Sequence, residues 1–85
     1  MDELYRAIEE RIRLSGYKGT ADGEEIYNDI CDQIEDKEEG VYVLMSKKQD
    51  DVFFEYTVEV FEDQFNLSSI DLHTAKTIFH VDFDV

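Results

Sequence analysis

One stretch of the chain, residues 52–61, restricts the fold more than any other. Its sequence, VFFEYTVEVF, places five apolar residues on one side and Glu55, Thr57 and Glu59 on the other. Alternation with a period of two residues over this length is typical of a half-buried β-strand, and β-branched and aromatic residues favour a pleated, partly buried surface. We therefore predict that residues 52–61 form the central strand of an antiparallel sheet.

The composition is that of a single small acidic domain. The 85 residues carry 22 acidic and 8 basic side chains, a formal charge of −14, while 42% hydrophobic residues argue against disorder. A surface this negative repels nucleic-acid phosphates and anionic lipids and attracts basic surfaces. We expect residues 1–85 to form one domain that binds neither nucleic acid nor membranes directly, with an acidity that serves either solubility or a basic partner.

Three features of the sequence bear on the compartment. A single cysteine, Cys31, cannot form an internal disulfide and fits a reducing environment. The longest apolar run, residues 41–45, is far shorter than the roughly 20 residues needed to cross a bilayer. No basic segment precedes an apolar stretch as it would in a secretory signal. These features predict a cytoplasmic protein.

Isoleucine or leucine recurs every four residues in two segments, and this spacing predicts two helices because it forms an apolar stripe. The stripes are Leu4, Ile8 and Ile12 in residues 2–15, and Ile26, Ile30 and Ile34 in residues 23–36. Gly16 suits the end of the first helix. Asp22, three residues before Glu25, suits the start of the second helix, with Thr20 as a competing N-cap.

Three further strands are predicted around the central one, at residues 41–47, 65–73 and 78–85. A two-residue loop at 49–50 would place Met45 opposite Phe54 and Val43 opposite Tyr56. The outer face of the sheet would then carry Tyr42, Leu44, Phe53, Glu55, Thr57, Glu59 and Phe61. Such a face is more apolar than solvation requires, and exposed apolar patches often mark interaction surfaces.

The third strand has a fault in its alternation. Phe65 and Leu67 share one face, whereas Ile70 and Leu72 share the other. A β-bulge near residues 68–69 would return both pairs to the core. A turn at residues 75–76 would then pair Leu72 with Phe79 and Ile70 with Val81. The predicted fold is α+β, with two N-terminal helices packed on one face of a four-stranded antiparallel meander (ααββββ, a two-layer sandwich).

Two histidines and two aspartates are the main candidates for a metal site. In the predicted register Asp71 pairs across from His80, with His73 and Asp82 on the same outward face. Such a set could bind zinc or another transition metal. The alternative is a pair of surface His–Asp contacts that slightly raise the pKa of the histidines. We predict no cofactor and no catalytic residue, and we assign Cys31 to core packing.

The second helix carries the densest charge. From Asp22 to Glu39 there are nine acidic residues and one base, a net charge of −8. Residues three and four apart stack along a helix, so one row is predicted, formed by Glu25, Asp29, Asp32 and Asp36. Such a row could stand in for a phosphate backbone and occupy a basic nucleic-acid-binding groove; the alternative is a solvated outer helix face.

The run GYKGTADGEEIYNDI, residues 16–30, with the acidic, aromatic-rich strands after it, resembles small uncharacterised proteins encoded on conjugative or phage-like elements of Gram-positive bacteria. The resemblance lies in size, charge and texture across the chain, and no functional residue is carried over by it. It implies an accessory role, such as that of a small inhibitor of the acidic anti-restriction type.

The sequence therefore predicts a non-enzymatic protein-binding or accessory domain, with an acidic nucleic-acid mimic or an inhibitor of a basic protein as its specific form. The partner-binding residues of this hypothesis are Glu25, Asp29, Asp32, Asp36 and Phe53. The alternative function is a metal-binding domain that uses Asp71, His73, His80 and Asp82. Formation of a homodimer through an edge strand or the outer sheet face is left open.

Overall fold

The computed structural model describes residues 2–19, 21–48 and 51–83. They form two helices and four strands: α1 (Asp2–Leu14), α2 (Gly23–Ile34), β1 (Gly40–Met45), β2 (Phe53–Val60), β3 (Phe65–His73) and β4 (Ile78–Asp82). The strands lie in the order β1-β2-β3-β4 in one antiparallel sheet. The predicted fold class and element order are confirmed. Residues 84–85, predicted to end the last strand, lie outside the described residues.

The ends of the helices follow from local chemistry. Gly16, with φ of 100°, turns the chain out of α1 in a conformation that favours glycine. Asp22 caps α2 by accepting hydrogen bonds from the amides of Glu24 and Glu25. Thr20, the competing N-cap, lies outside the described residues. Gly23 permits close contact between the helices, because a Cβ there would lie 2.2 Å from the Tyr5 carbonyl oxygen.

The second helix is shorter than predicted. It ends at Ile34, not at residue 36, because the amide of Lys37 donates to the Ile34 carbonyl over 3.0 Å and closes a tight turn. Asp36 therefore lies in this turn, beyond the last residue of α2.

One hydrophobic core lies between the helices and the sheet. The helices contribute the predicted stripes, although Leu4 at the start of α1 remains 43% exposed. The buried residues are Ile8, Ile12, Ile26, Ile30, Leu44, Tyr56, Val58, Val60, Ile70, Leu72 and Val81. Among the described residues, no helix has the length and apolar content needed to cross a membrane.

The β-bulge in β3 is confirmed. Thr57 pairs with Ser69 and the next residue of β2, Val58, pairs with Leu67, so Ser68 is the inserted residue. The bulge lets both apolar pairs of β3 face the core. The predicted pairs of β3 with β4, Leu72 with Phe79 and Ile70 with Val81, are also present.

The predicted register of β1 is wrong by one residue. Leu44, not Val43, lies opposite Tyr56, and Met45 lies opposite Glu55. Leu44 is 5% exposed and Tyr42 packs against the core, so neither belongs to the outer face. That face instead carries Val41, Val43 and Met45, which are 68%, 60% and 54% exposed. The register is held where Ser46 donates its amide to the Phe54 carbonyl (2.8 Å) and accepts the Phe54 amide on its hydroxyl (2.8 Å).

This fold predicts a sharp contrast between two substitutions. Val58→Asp places an unpaired charge at a fully buried position of β2, so the free energy of unfolding should fall by roughly 3–5 kcal/mol. Val43→Asp adds the same charge on the exposed face of β1 and should change stability by less than about 1 kcal/mol. Urea denaturation followed by circular dichroism measures both. Equal losses in the two variants would contradict the assigned faces of the sheet.

Candidate functional site

The four acidic residues predicted to form a row, Glu25, Asp29, Asp32 and Asp36, are not equivalent in the structure. Glu25 and Asp32 are exposed on α2, and Asp36 is exposed in the turn that follows. Asp29 is half-buried and accepts a hydrogen bond from the Gln33 side chain over 3.2 Å. We call these four residues the acidic stripe.

The acidic stripe faces the β1 side of the molecule. Gln33, whose amide nitrogen donates to Asp29, also donates to the carbonyl oxygen of Met45 at the end of β1 (3.1 Å). Asp29 and Tyr56 of β2 line the same cavity. Burial raises the pKa of the Tyr56 hydroxyl, and the Asp29 carboxylate raises it further. Since Glu25 and Asp32 are four and three residues from Asp29, they continue the row on this side of α2.

The backbone of β1 presents hydrogen-bonding groups to solvent. Ser46 is hydrogen-bonded to Phe54, and bonded positions alternate along an antiparallel pair, so Tyr42 and Leu44 also pair with β2. The amides and carbonyls of Val41, Val43 and Met45 therefore point away from the sheet. Gln33 caps the Met45 carbonyl, whereas no described residue bonds to the outward groups of Val41 and Val43. We call the outward backbone of Val41 and Val43, with their exposed side chains and that of Met45, the β1 edge.

Phe53 does not form the apolar patch predicted for it. Its ring is half-buried and stacks on the imidazole of His73, with centroids 4.4 Å apart and planes at 4°. Tyr42 and Leu44, the predicted neighbours, point to the core instead. A run of three exposed apolar residues, Val41, Val43 and Met45, lies one strand further out, on β1.

The His and Asp side chains on β3 and β4 form ion pairs. His80 lies between two carboxylates, with Nδ1 bonded to Asp71 and Nε2 to Asp82 at 2.7 Å. These bonds, that of Asp71 first, raise the pKa of His80 above its ordinary value. His73 does not take part in these contacts; its Nε2 lies 3.4 Å from Oε1 of Glu55 on β2. The predicted pairing of Asp71 with His80 is present.

The four residues of the metal alternative are thus divided between two contacts. Both ring nitrogens of His80 are directed at carboxylates, an arrangement that suits the imidazolium, whereas metal ligation needs a free ring nitrogen. Within residues 2–19, 21–48 and 51–83 there is no group of three or more His, Cys, Asp or Glu side chains arranged to hold a metal ion.

Cys31 lines a cavity of about 740 Å³ that lies between the two helices and the β2–β3 turn. Burial raises the pKa of its thiol, and Asp32 raises it as well, while a hydrogen bond with Tyr27 acts in the opposite direction. A raised pKa keeps the thiol protonated at neutral pH, and the thiolate is the reactive form. The environment of Cys31 therefore favours packing over nucleophilic chemistry.

Comparison of the chain with protein-family models, with curated proteins and with solved structures finds no match. A two-layer α+β sandwich does not by itself indicate a function, because function depends on the site carried by the fold. The acidic stripe and the β1 edge are the two surfaces from which a function can be inferred.

The His80 contacts predict a pH-dependent contribution to stability. Because the pKa of folded His80 is raised above 6.5, its ion pairs contribute fully below that pH and are lost as the pH rises through the folded pKa. The stability difference between the protein and His80→Gln should therefore be largest near pH 5.5 and decline above pH 6.5.

Thermal melts across pH 5–8 measure this difference, and NMR titration of the imidazole gives the pKa itself. Asp71→Asn should lower that pKa more than Asp82→Asn, since Asp71 makes the larger contribution. A titration unaffected by either substitution would contradict the ion-paired geometry.

Proposed function

We propose that this protein is a small non-enzymatic binding domain for a basic protein partner, with the acidic stripe as its principal contact. The observation that carries the proposal is the segregation of charge. Residues 22–39 hold nine acids and one base, so −8 of the net charge of −14 lies in about a fifth of the chain. A charge that served solubility alone would have no need of such concentration on one helix and the turn that follows it.

The spacing of these charges is close to that of a nucleic-acid strand. The 12 residues of α2 extend about 18 Å at 1.5 Å per residue. The members of the acidic stripe on α2, Glu25, Asp29 and Asp32, lie about 6 and 4.5 Å apart along the helix axis. This spacing is of the same order as the one charge per about 3.4 Å along a DNA strand. The partner we favour is accordingly a protein with a groove of Lys and Arg side chains that binds a phosphate backbone.

Such binding would exclude nucleic acid from the partner's groove, and the protein would act as an inhibitor in the cytoplasm. The resemblance to mobile-element proteins supports this role, because acidic inhibitors of nucleic-acid-binding enzymes are among the accessory functions it implies. Affinity would arise from charge neutralisation and would fall steeply with salt.

The proposal predicts a position-specific effect of charge. Glu25→Gln combined with Asp32→Asn removes two exposed charges of the acidic stripe and should lower the affinity for a basic partner by about two- to thirtyfold, because each exposed ion pair contributes roughly 0.2–1 kcal/mol. Glu62→Gln combined with Asp63→Asn removes the same charge from the exposed β2–β3 turn and should change affinity by less than about twofold.

The partner is first captured from a Gram-positive lysate and identified by mass spectrometry. Dissociation constants of the three forms are then measured at 50 and 300 mM salt, with thermal melts to verify folding. An affinity independent of salt, or equal losses in the two double variants, would overturn the proposal that the acidic stripe is the contact.

A further inference from the structure

We infer that the β1 edge is a site of strand addition, at which a partner segment in extended conformation, with alternating apolar and basic residues, pairs with Val41 and Val43. The inference rests on the proposed function and names the chemistry of the bound segment. The outward backbone of Val41 and Val43 and the acidic stripe lie on the same side of the molecule, so one extended segment can contact both.

The two outer strands of the sheet differ in how their edges are protected. Proteins ordinarily protect a free edge with charged residues, proline, bulges or a covering side chain. On β4, His80 and Asp82 place charges at the edge, and Arg11 caps the Asp82 carbonyl over 3.2 Å. The sequence of β1, GVYVLM, has neither a charge nor a proline. An apolar edge left open beside a protected one is the geometry used by sheets that accept an added strand.

The surroundings of β1 define the segment that fits. Residues opposite Val41 and Val43 would place their side chains on the outer face of the sheet, beside the exposed valines and Met45, where apolar side chains pack best. The residues between them would point to the other face, where α2 and the acidic stripe lie. Gln33 bonds both to the Asp29 carboxylate and to the Met45 carbonyl, so long Lys or Arg side chains on this face would point toward the acidic stripe. Because Gln33 already donates a hydrogen bond to the Met45 carbonyl, the added segment can pair only with the residues of β1 before Met45.

Charge argues against a second copy of the chain as the occupant. Pairing of β1 with its own copy would place the two α2 helices side by side along the joined edge. Each helix and the turn after it carry a net charge of −8 within residues 22–39, so like charges would face each other across the junction. A basic segment removes this repulsion and gains the attraction of the same carboxylates.

The probe is an acetylated and amidated peptide of sequence Lys-Val-Lys-Val-Lys-Val-Lys, titrated against the full chain in low salt. Amide hydrogen exchange by NMR reports the pairing directly. Without peptide, the amides of Tyr42 and Leu44 should be protected and those of Val41 and Val43 should exchange fast. With peptide, Val41 and Val43 should gain at least about tenfold protection. The same peptide with N-methyl groups on its valines keeps every charge but cannot donate to β1, and it should produce no such protection.

A matched pair of variants tests the protein side. The amide of Val43 points outward, so Val43→Pro removes an edge donor without removing a bond to β2. Val43→Thr keeps both the amide and the β-branched shape. We expect Val43→Pro to lower the affinity for the peptide at least about tenfold and Val43→Thr to lower it by less than about twofold. If Val43→Pro fails to fold, the N-methylated peptide supplies the same comparison on the unaltered protein.

Failure of this inference differs from failure of the proposed function. Peptide binding that is lost in Glu25→Gln with Asp32→Asn but unchanged in Val43→Pro, with no new amide protection, would overturn strand addition and leave the acidic contact standing. Binding unchanged by the acidic variants and by salt would overturn the proposed function. Protection of Val41 and Val43 in the free protein, together with a dimeric mass by light scattering, would overturn the inference in favour of a second copy.

Discussion

Burial of one face of β2 is the constraint on which the rest of the structure depends. Tyr56, Val58 and Val60 lie in the core, and β2 pairs with β1 on one side and β3 on the other. Because side chains alternate along a strand, the face that β2 buries decides which residues of both neighbours are buried. The helices then close over that face with Ile8, Ile12, Ile26 and Ile30.

The sequence predicts the bulge in β3 correctly because the apolar residues of β3 cannot all face the core in a regular strand. Phe65 and Leu67 disagree in parity with Ile70 and Leu72, and only an inserted residue reconciles them; the structure has it at Ser68. In β1 the pattern offers no such test, since both parities are apolar. Val41, Val43 and Met45 on one face compete with Tyr42 and Leu44 on the other, and the core takes the latter two. The turn that would have chosen between them has no sequence signal strong enough to fix its length.

The acidic stripe and the β1 edge also differ in how much of each can be predicted from the sequence. The charge of α2 can be predicted from sequence, because acidic residues three and four apart must share a helix face. The depth of each carboxylate cannot, and Asp29 turns out to be half-buried beside Tyr56. The residues of the β1 edge depend entirely on the register, and the predicted register places Val43 in the core instead. Likewise Phe53 is an aromatic residue on the predicted outer face and therefore a candidate contact residue, but His73 of the neighbouring strand stacks on its ring.

The uneven charge of the molecule links binding to stability. A net charge of −14 on 85 residues opposes the compact state through self-repulsion. On the outer face His80 lies between Asp71 and Asp82, and its protonated form relieves the repulsion between the two carboxylates. Within residues 22–39 the single base, Lys37, follows α2 and lies over the ring of Tyr42 at 5.4 Å, and it cannot neutralise nine acids. A positively charged ligand on this side is therefore attracted by these carboxylates and reduces the repulsion between them. Because this repulsion opposes the compact state, binding of such a ligand should stabilise the folded state.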